Sequence, residues 1–215
     1  MPLARQSPNC GPRRDGLTPS LIVLHYTAMS SAQAAIDRLC DPEFEVSAHY
    51  VIARDGQVTG LVPEDMRAWH AGVGQWCGLD DVNSRSIGVE LDNDGHAPFA
   101  APLMDALQVL LSGIMTRWGI EPRGVIGHSD LAPGRKVDPG PHFDWQRLER
   151  CGQAVPYGGG PVKKVSMAEF LRVARQAGYS ADVPADVLLN AVRLRYRPWA
   201  RGPVCGADIS AVTPS

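Results

Sequence analysis

Apolar residues along this chain recur with two different periods, and the periods predict its elements. Leu21, Ile22, Val23 and Leu24 form an unbroken apolar run ahead of His25, as in a strand buried on both faces. Ser30 and Gln33 have capping-box spacing before Ala34, Ala35, Ile36 and Leu39, so a short helix is expected there. Residues 46–53 read as a strand, Arg54-Asp55-Gly56-Gln57 as a hairpin turn, and residues 58–62 as the return strand. Residues 86–91 alternate: Ile87, Val89 and Leu91 face one side, and Ser86, Gly88 and Glu90 the other. Leu103, Leu107, Leu110, Leu111, Ile114 and Trp118 make one helical stripe, with Pro102 suited to its first turn and Gly119 to its stop. Residues 125–127 are a last short strand, ending at His128. Strands and helices interleave and one hairpin is antiparallel, which predicts an α/β fold with a mixed central β-sheet flanked by helices.

The pattern changes after Trp145. Tyr157-Gly158-Gly159-Gly160-Pro161 has the composition of a linker. Ser166 and Glu169 again have capping-box spacing, and Gly178 ends that helix. Ala185, Leu188, Leu189, Val192 and Tyr196 form a further apolar face that stops before Pro198. The expected organisation is a main domain over residues 1–150, a linker over 151–165 and a small helical segment over 166–215. A segment of roughly fifty residues makes a marginal core alone, so it is expected to lean on the main domain.

Composition narrows the function. The 215 residues are 44% hydrophobic, and the formal net charge is −2. That balance offers neither a basic surface for nucleic acid nor attraction to an anionic membrane. No run is long and apolar enough to span a bilayer, and the opening MPLARQSPNC lacks the apolar core of a secretory signal. A cytoplasmic location is expected, or the periplasm if a leader has been removed. The proline- and glycine-rich residues 2–19 read as an ordered arm. Five cysteines with wide spacing and no Cys-x-x-Cys argue against both a disulfide framework and a thiolate zinc site.

His25 and His128 each close a strand-like run, and if those strands are parallel neighbours both imidazoles emerge at one sheet edge. Asp138 follows in Lys136-Val137-Asp138 within a stiff Pro139-Gly140-Pro141 frame. Two histidines and a carboxylate suit zinc with a fourth position open to water, although a single histidine is more often structural than a ligand. Glu90, on the polar face of its strand, faces either solvent or a site; beside a zinc-bound water it would serve as general base and then acid. Lys136 is either a solvated charge or, sharing a side with Asp138, a group within reach of a developing oxyanion.

Five segments carry a resemblance: LIVLHYTA (21–28), VSAHYVIARDG (46–56), VPEDMRAWHAG (62–72), NSRSIGVEL (83–91) and GHSDLAPGRKVDPGPHFDW (127–145). In order and near spacing they resemble the zinc-dependent N-acetylmuramoyl-L-alanine amidases of the amidase-2 family, the AmpD/AmiD type. The resemblance implies one Zn2+, peptidoglycan fragments (muropeptides) as partners, and hydrolysis of the amide between the muramic acid lactyl group and L-alanine in wall catabolism and recycling. It implies His25, His128 and Asp138 as zinc ligands, Glu90 as the acid/base and Lys136 as the oxyanion group. His49, Trp69 and His70 also fall in matching motifs, as groove or outer-shell residues or as buried structural ones. Glu45 and Asp81 stand where the cytosolic branch carries peptide-holding arginines, which implies acceptance of intact as well as 1,6-anhydro muramic acid. The tail resembles a small peptidoglycan-binding helical module with a truncated third helix. The rival readings are a non-catalytic peptidoglycan-recognition module and an endolysin acting on intact wall. The complete ligand set with Glu90 favours an enzyme over the first.

Overall fold

The computed structural model describes residues 5–214, so the first three residues of the expected arm lie outside the described residues. In chain order the strands are β1 (Cys10–Pro12), β2 (Leu21–Tyr26), β3 (Tyr50–Ile52), β4 (Val58–Gly60), β5 (Met66–Ala68), β6 (Ser86–Leu91) and β7 (Val125–Gly127). The helices are α1 (Ala32–Leu39), α2 (Val82–Arg85), α3 (Ala101–Trp118), α4 (His128–Leu131), α5 (Trp145–Arg150), α6 (Met167–Gln176), α7 (Ala185–Tyr196) and α8 (Gly206–Ala211). The main sheet has the order β4-β3-β6-β2-β7. β3, β6, β2 and β7 run parallel, and β4 is antiparallel to β3. β1 pairs antiparallel with β5 in a separate ribbon. The arm is pinned beside it by Arg13, whose guanidinium donates to the carbonyls of Asn83, Ser84, Ser86 and Glu64.

The mixed sheet flanked by helices is the fold that the periodicity predicts. One face buries Ile22, Leu24, Ile87, Val89 and Leu91 against Leu103, Leu107, Leu111 and Ile114 of α3 and Trp145 and Leu148 of α5. The other face is divided. Val51 packs with Ile36 and Leu39 of α1. Leu21, Val23 and Ile126 pack with Phe170, Leu188, Val192 and Ile209 of the C-terminal helices. Between these two clusters lies the polar side of β6: Ser86, Gly88 and Glu90. A strand with one apolar and one polar side thus carries its polar residues to the gap between two coverings.

The C-terminal helices share a core with the sheet: Leu21, Val23 and Ile126 pack with them in one cluster, together with Trp76, Val82 and Leu131. Residues 46–49 do not continue β3 as a regular strand. His49 N–H still bonds Gly88 O of β6, but Ser47 N–H bonds Trp69 O in the loop after β5. The N-cap of α1 is Ser31 rather than Ser30: its Oγ accepts from Ala34 N–H at 3.2 Å, while Gln33 bonds Asp37. Ser166 caps α6 as expected, accepting from Glu169 N–H. Among the described residues no helix is long and apolar enough to cross a membrane.

Candidate metal centre and cleft

Parallel pairing of β6, β2 and β7 brings the carboxyl ends of three strands to one edge, where open α/β sheets form their ligand crevices. His25 is the fifth residue of β2 and stands in register with Glu90 of β6. β7 ends one residue before His128, which opens the single turn α4. Asp138 returns to this edge from the following loop, held by Ser129 N–H donating to Asp138 O at 2.9 Å.

Three atoms converge there. His25 Nδ1 lies 2.9 Å from His128 Nδ1 and 2.9 Å from Asp138 Oδ2, and His128 Nδ1 lies 3.0 Å from the same oxygen. All three residues are buried. The proton positions follow from the surrounding partners. Ser86 Oγ donates to Val82 O at 2.6 Å, so it accepts from His70 Nε2–H at 3.1 Å. His70 Nδ1 then carries a lone pair and accepts from His25 Nε2–H at 3.0 Å. His25 Nδ1 is thereby left bare. His128 Nε2–H donates to Ala71 O at 2.8 Å, so His128 Nδ1 is bare as well. Two nitrogen lone pairs and a carboxylate oxygen face one point with no proton among them. Such a set repels itself unless a cation lies between. A buried pair of histidines with one aspartate, both imidazoles fixed by outer hydrogen bonds, fits zinc. Burial first and His128 second lower the His25 pKa to about 4, which keeps this imidazole neutral.

The cleft over this centre encloses about 350 Å³, between α1 and the loops after β2, β5 and β7. Glu90 and Lys136 both line it. Glu90 Oε2 is buried with no hydrogen-bond partner among the described residues. Burial, then Asp138, push its carboxyl well above the usual carboxylate range, with Lys136 opposing. Such a group is poised to take up a proton.

Trp69 and His70 also line the cleft. His49 is fully buried with both ring nitrogens engaged: Nδ1 accepts from Gly88 N–H at 2.9 Å and Nε2–H donates to Met66 O at 3.1 Å. Its ring meets that of His70 in an edge-to-face contact, with centroids 5.8 Å apart. Glu45 is exposed in left-handed backbone, and Asp81 pairs with Arg67 at 3.3 Å. Sequence reasoning misses two participants. Ser86 ends the proton chain, and Asn83 Oδ1 accepts from the N–H groups of His70 and Ala71, placing both. Ser86 sharing a strand face with Glu90 is the one sequence signal that points to it.

Comparison with known proteins agrees with this geometry. The family model described as N-acetylmuramoyl-L-alanine amidase (Amidase_2) matches residues 15–141. The chain is 32% identical over 225 residues to the amidase AmiD of Escherichia coli, covering 89% of this chain and 80% of that one. It is 35% identical over 159 residues to the 1,6-anhydro-N-acetylmuramyl-L-alanine amidase AmpD of Citrobacter freundii, covering 66% of this chain and 85% of that one. The structure of Escherichia coli AmiD with anhydro-N-acetylmuramic acid-L-Ala-D-γ-Glu-L-Lys superposes with a TM-score of 0.80 at 31% identity, over 97% of this chain and 90% of that one. AmpDH3 of Pseudomonas aeruginosa in complex with an anhydromuramic pentapeptide gives 0.79 at 29% identity, over 97% and 93%. Motifs, fold and comparisons converge: the chain belongs to the amidase-2 family of N-acetylmuramoyl-L-alanine amidases.

Proposed function

We propose that this amidase hydrolyses the lactyl–L-alanine amide of soluble peptidoglycan fragments at a zinc centre held by His25 Nδ1, His128 Nδ1 and Asp138 Oδ2. The observation that carries the assignment is the Oε2 of Glu90, without a partner among the described residues, in the same cleft as the three converging candidate ligand atoms. When bound, zinc supplies Lewis acidity to the water nucleophile and the scissile carbonyl. Glu90 accepts the proton of the attacking water and delivers it to the departing L-alanine nitrogen, so one carboxyl serves as base and then acid. Lys136 places positive charge at the cleft wall, where it stabilises the oxyanion of the tetrahedral adduct. His70 and Ser86 hold His25 in the tautomer whose Nδ1 faces the centre. Ala71 O does the same for His128.

Substrate breadth follows from the two acidic positions. Neither exposed Glu45 nor Asp81, tied to Arg67, offers a cation to the carboxylates of a stem peptide. The expected result is cleavage of both intact and 1,6-anhydro muropeptides with kcat/KM within about tenfold, a difference below ~1.4 kcal/mol. The experiment follows the products of a matched pair of substrates by mass spectrometry, before chelation, after it, and after zinc is restored. Full activity in the chelated protein would refute the zinc assignment. An anhydro preference above about a hundredfold, or ~2.7 kcal/mol, would refute the breadth.

A further inference from the structure

α4 is one turn long, too short to hold its own shape in water. Two of the three converging ligands nevertheless depend on it: His128 is its first residue, and Ser129 N–H holds Asp138 through its carbonyl. What fixes the turn lies on its far side. Asp130 is fully buried, and its Oδ2 accepts from Gly127 N–H at 2.8 Å, which closes the turn around His128. The same oxygen accepts from Arg195 Nη1 of α7 at 2.8 Å, and Oδ1 accepts from the Tyr179 hydroxyl at 2.7 Å. Arg195 also donates to Val125 O, with both Nη atoms at 3.3 Å, and its guanidinium lies 4.0 Å from the Trp145 ring centroid. Arg195 therefore grips the chain on both sides of His128, at Val125 before it and Asp130 after it.

An apolar contact of similar size would cover this surface equally well, because a buried ion pair seldom adds net stability over one. A carboxylate bonded at both oxygens does something that such a contact does not: it fixes orientation. We propose that Asp130, Tyr179 and Arg195 are positioning residues of the metal centre, through which the C-terminal helices set the angle of the ligand-bearing turn. The proposal rests on the zinc assignment above. The chain contains its own control. Arg193 and Asp208 form a second buried pair, at 2.7 Å, with both partners inside the C-terminal helices.

The test measures zinc affinity by chelator competition alongside the thermal midpoint, on the full chain. Outer-shell partners of metal ligands typically change affinity by about 10–100-fold. Arg195→Lys is expected to weaken zinc by about tenfold or more. Tyr179→Phe, which removes one hydroxyl and keeps the ring, is expected to weaken it about three- to tenfold. The double variant Arg193→Met with Asp208→Asn is expected to lower the midpoint while leaving zinc affinity within about twofold. Should Arg195→Lys fail to fold, Tyr179→Phe decides. The proposal is overturned if Tyr179→Phe binds zinc as the wild type does, or if the Arg193–Asp208 variant loses as much affinity as the clamp variants. Failure of the zinc assignment would look different, since the wild-type chain itself would then show no competable zinc.

Discussion

A Cβ built on Gly88 would lie 2.5 Å from Cγ of His70 and 2.7 Å from its Nδ1, so the imidazole rests directly on the strand backbone. Gly88→Ala forces that ring away. Overpacking of this kind costs about 1–3 kcal/mol. The larger effect is on His25, which loses the acceptor that fixes its tautomer. Zinc affinity is expected to fall about 10–100-fold, read by chelator competition; unchanged affinity would mean that His70 does not govern His25. Glu90→Gln probes the opposite role. It keeps shape and removes the proton acceptor, so turnover is expected to drop about 10²- to 10⁴-fold with zinc content unchanged. Near wild-type turnover with full zinc would assign the base elsewhere.

At the scale of elements, the charged contact that ties the loop after β4 to α3 sets an acid limit. Glu64 accepts from Arg117, the Tyr50 hydroxyl and the Trp118 indole. Burial pushes its carboxyl up, but these donors outweigh burial and bring it down to about 2. A depressed folded-state pKa contributes stability above the unfolded value, near 4.3, and loses it as pH falls through the folded one. Stability is therefore expected to decline between about pH 4.5 and pH 2, and Glu64→Gln to flatten that part of the profile in denaturant titrations. An unchanged slope would show that other carboxylates dominate.

The elements themselves are largely legible where period and length agree. β6 and α3 fall within one residue of the pattern, because alternation and the helical stripe are strong over six and eighteen residues. The short ribbon of β1 and β5 leaves no periodic trace, at three residues each. The candidate ligands can be named from the sequence because they lie in distinctive motifs. The proton chain from Ser86 to His25 cannot, since it depends on which side chains meet across three segments. His49 illustrates the same limit: its motif resembles that of a groove residue, while its contacts are with Gly88 and Met66 backbone.

For the molecule as a whole, the divided face of the sheet decides how separable the C-terminal helices are. Removing everything after Pro161 would uncover Leu21, Val23, Ile126 and Leu131. It would also take Arg195 and Tyr179 away from Asp130, whose bonds fix the turn bearing His128. Apolar surface returned to water costs about 25 cal/mol per Å², which draws on the roughly 5–15 kcal/mol that holds a domain folded. The truncated chain is expected to lose its cooperative thermal transition and its near-ultraviolet circular dichroism. A sharp transition within a few degrees of the full chain would instead define the helices as an independent appendage.

The clamp on α4 also bears on timing. A ribosome makes His25 well before Arg195, so the first candidate ligand waits for the residue that steadies its candidate partners. Domains tend to fold as they emerge, amino-terminal parts first. Here the late helices complete both the cover of Leu21, Val23 and Ile126 and the bonds that fix the turn bearing His128. Hydrolytic competence is then expected only once Arg195 has been made. Nascent products that end before Arg195 are expected to lack a settled candidate metal centre, and so to be inactive on the material of the cell wall.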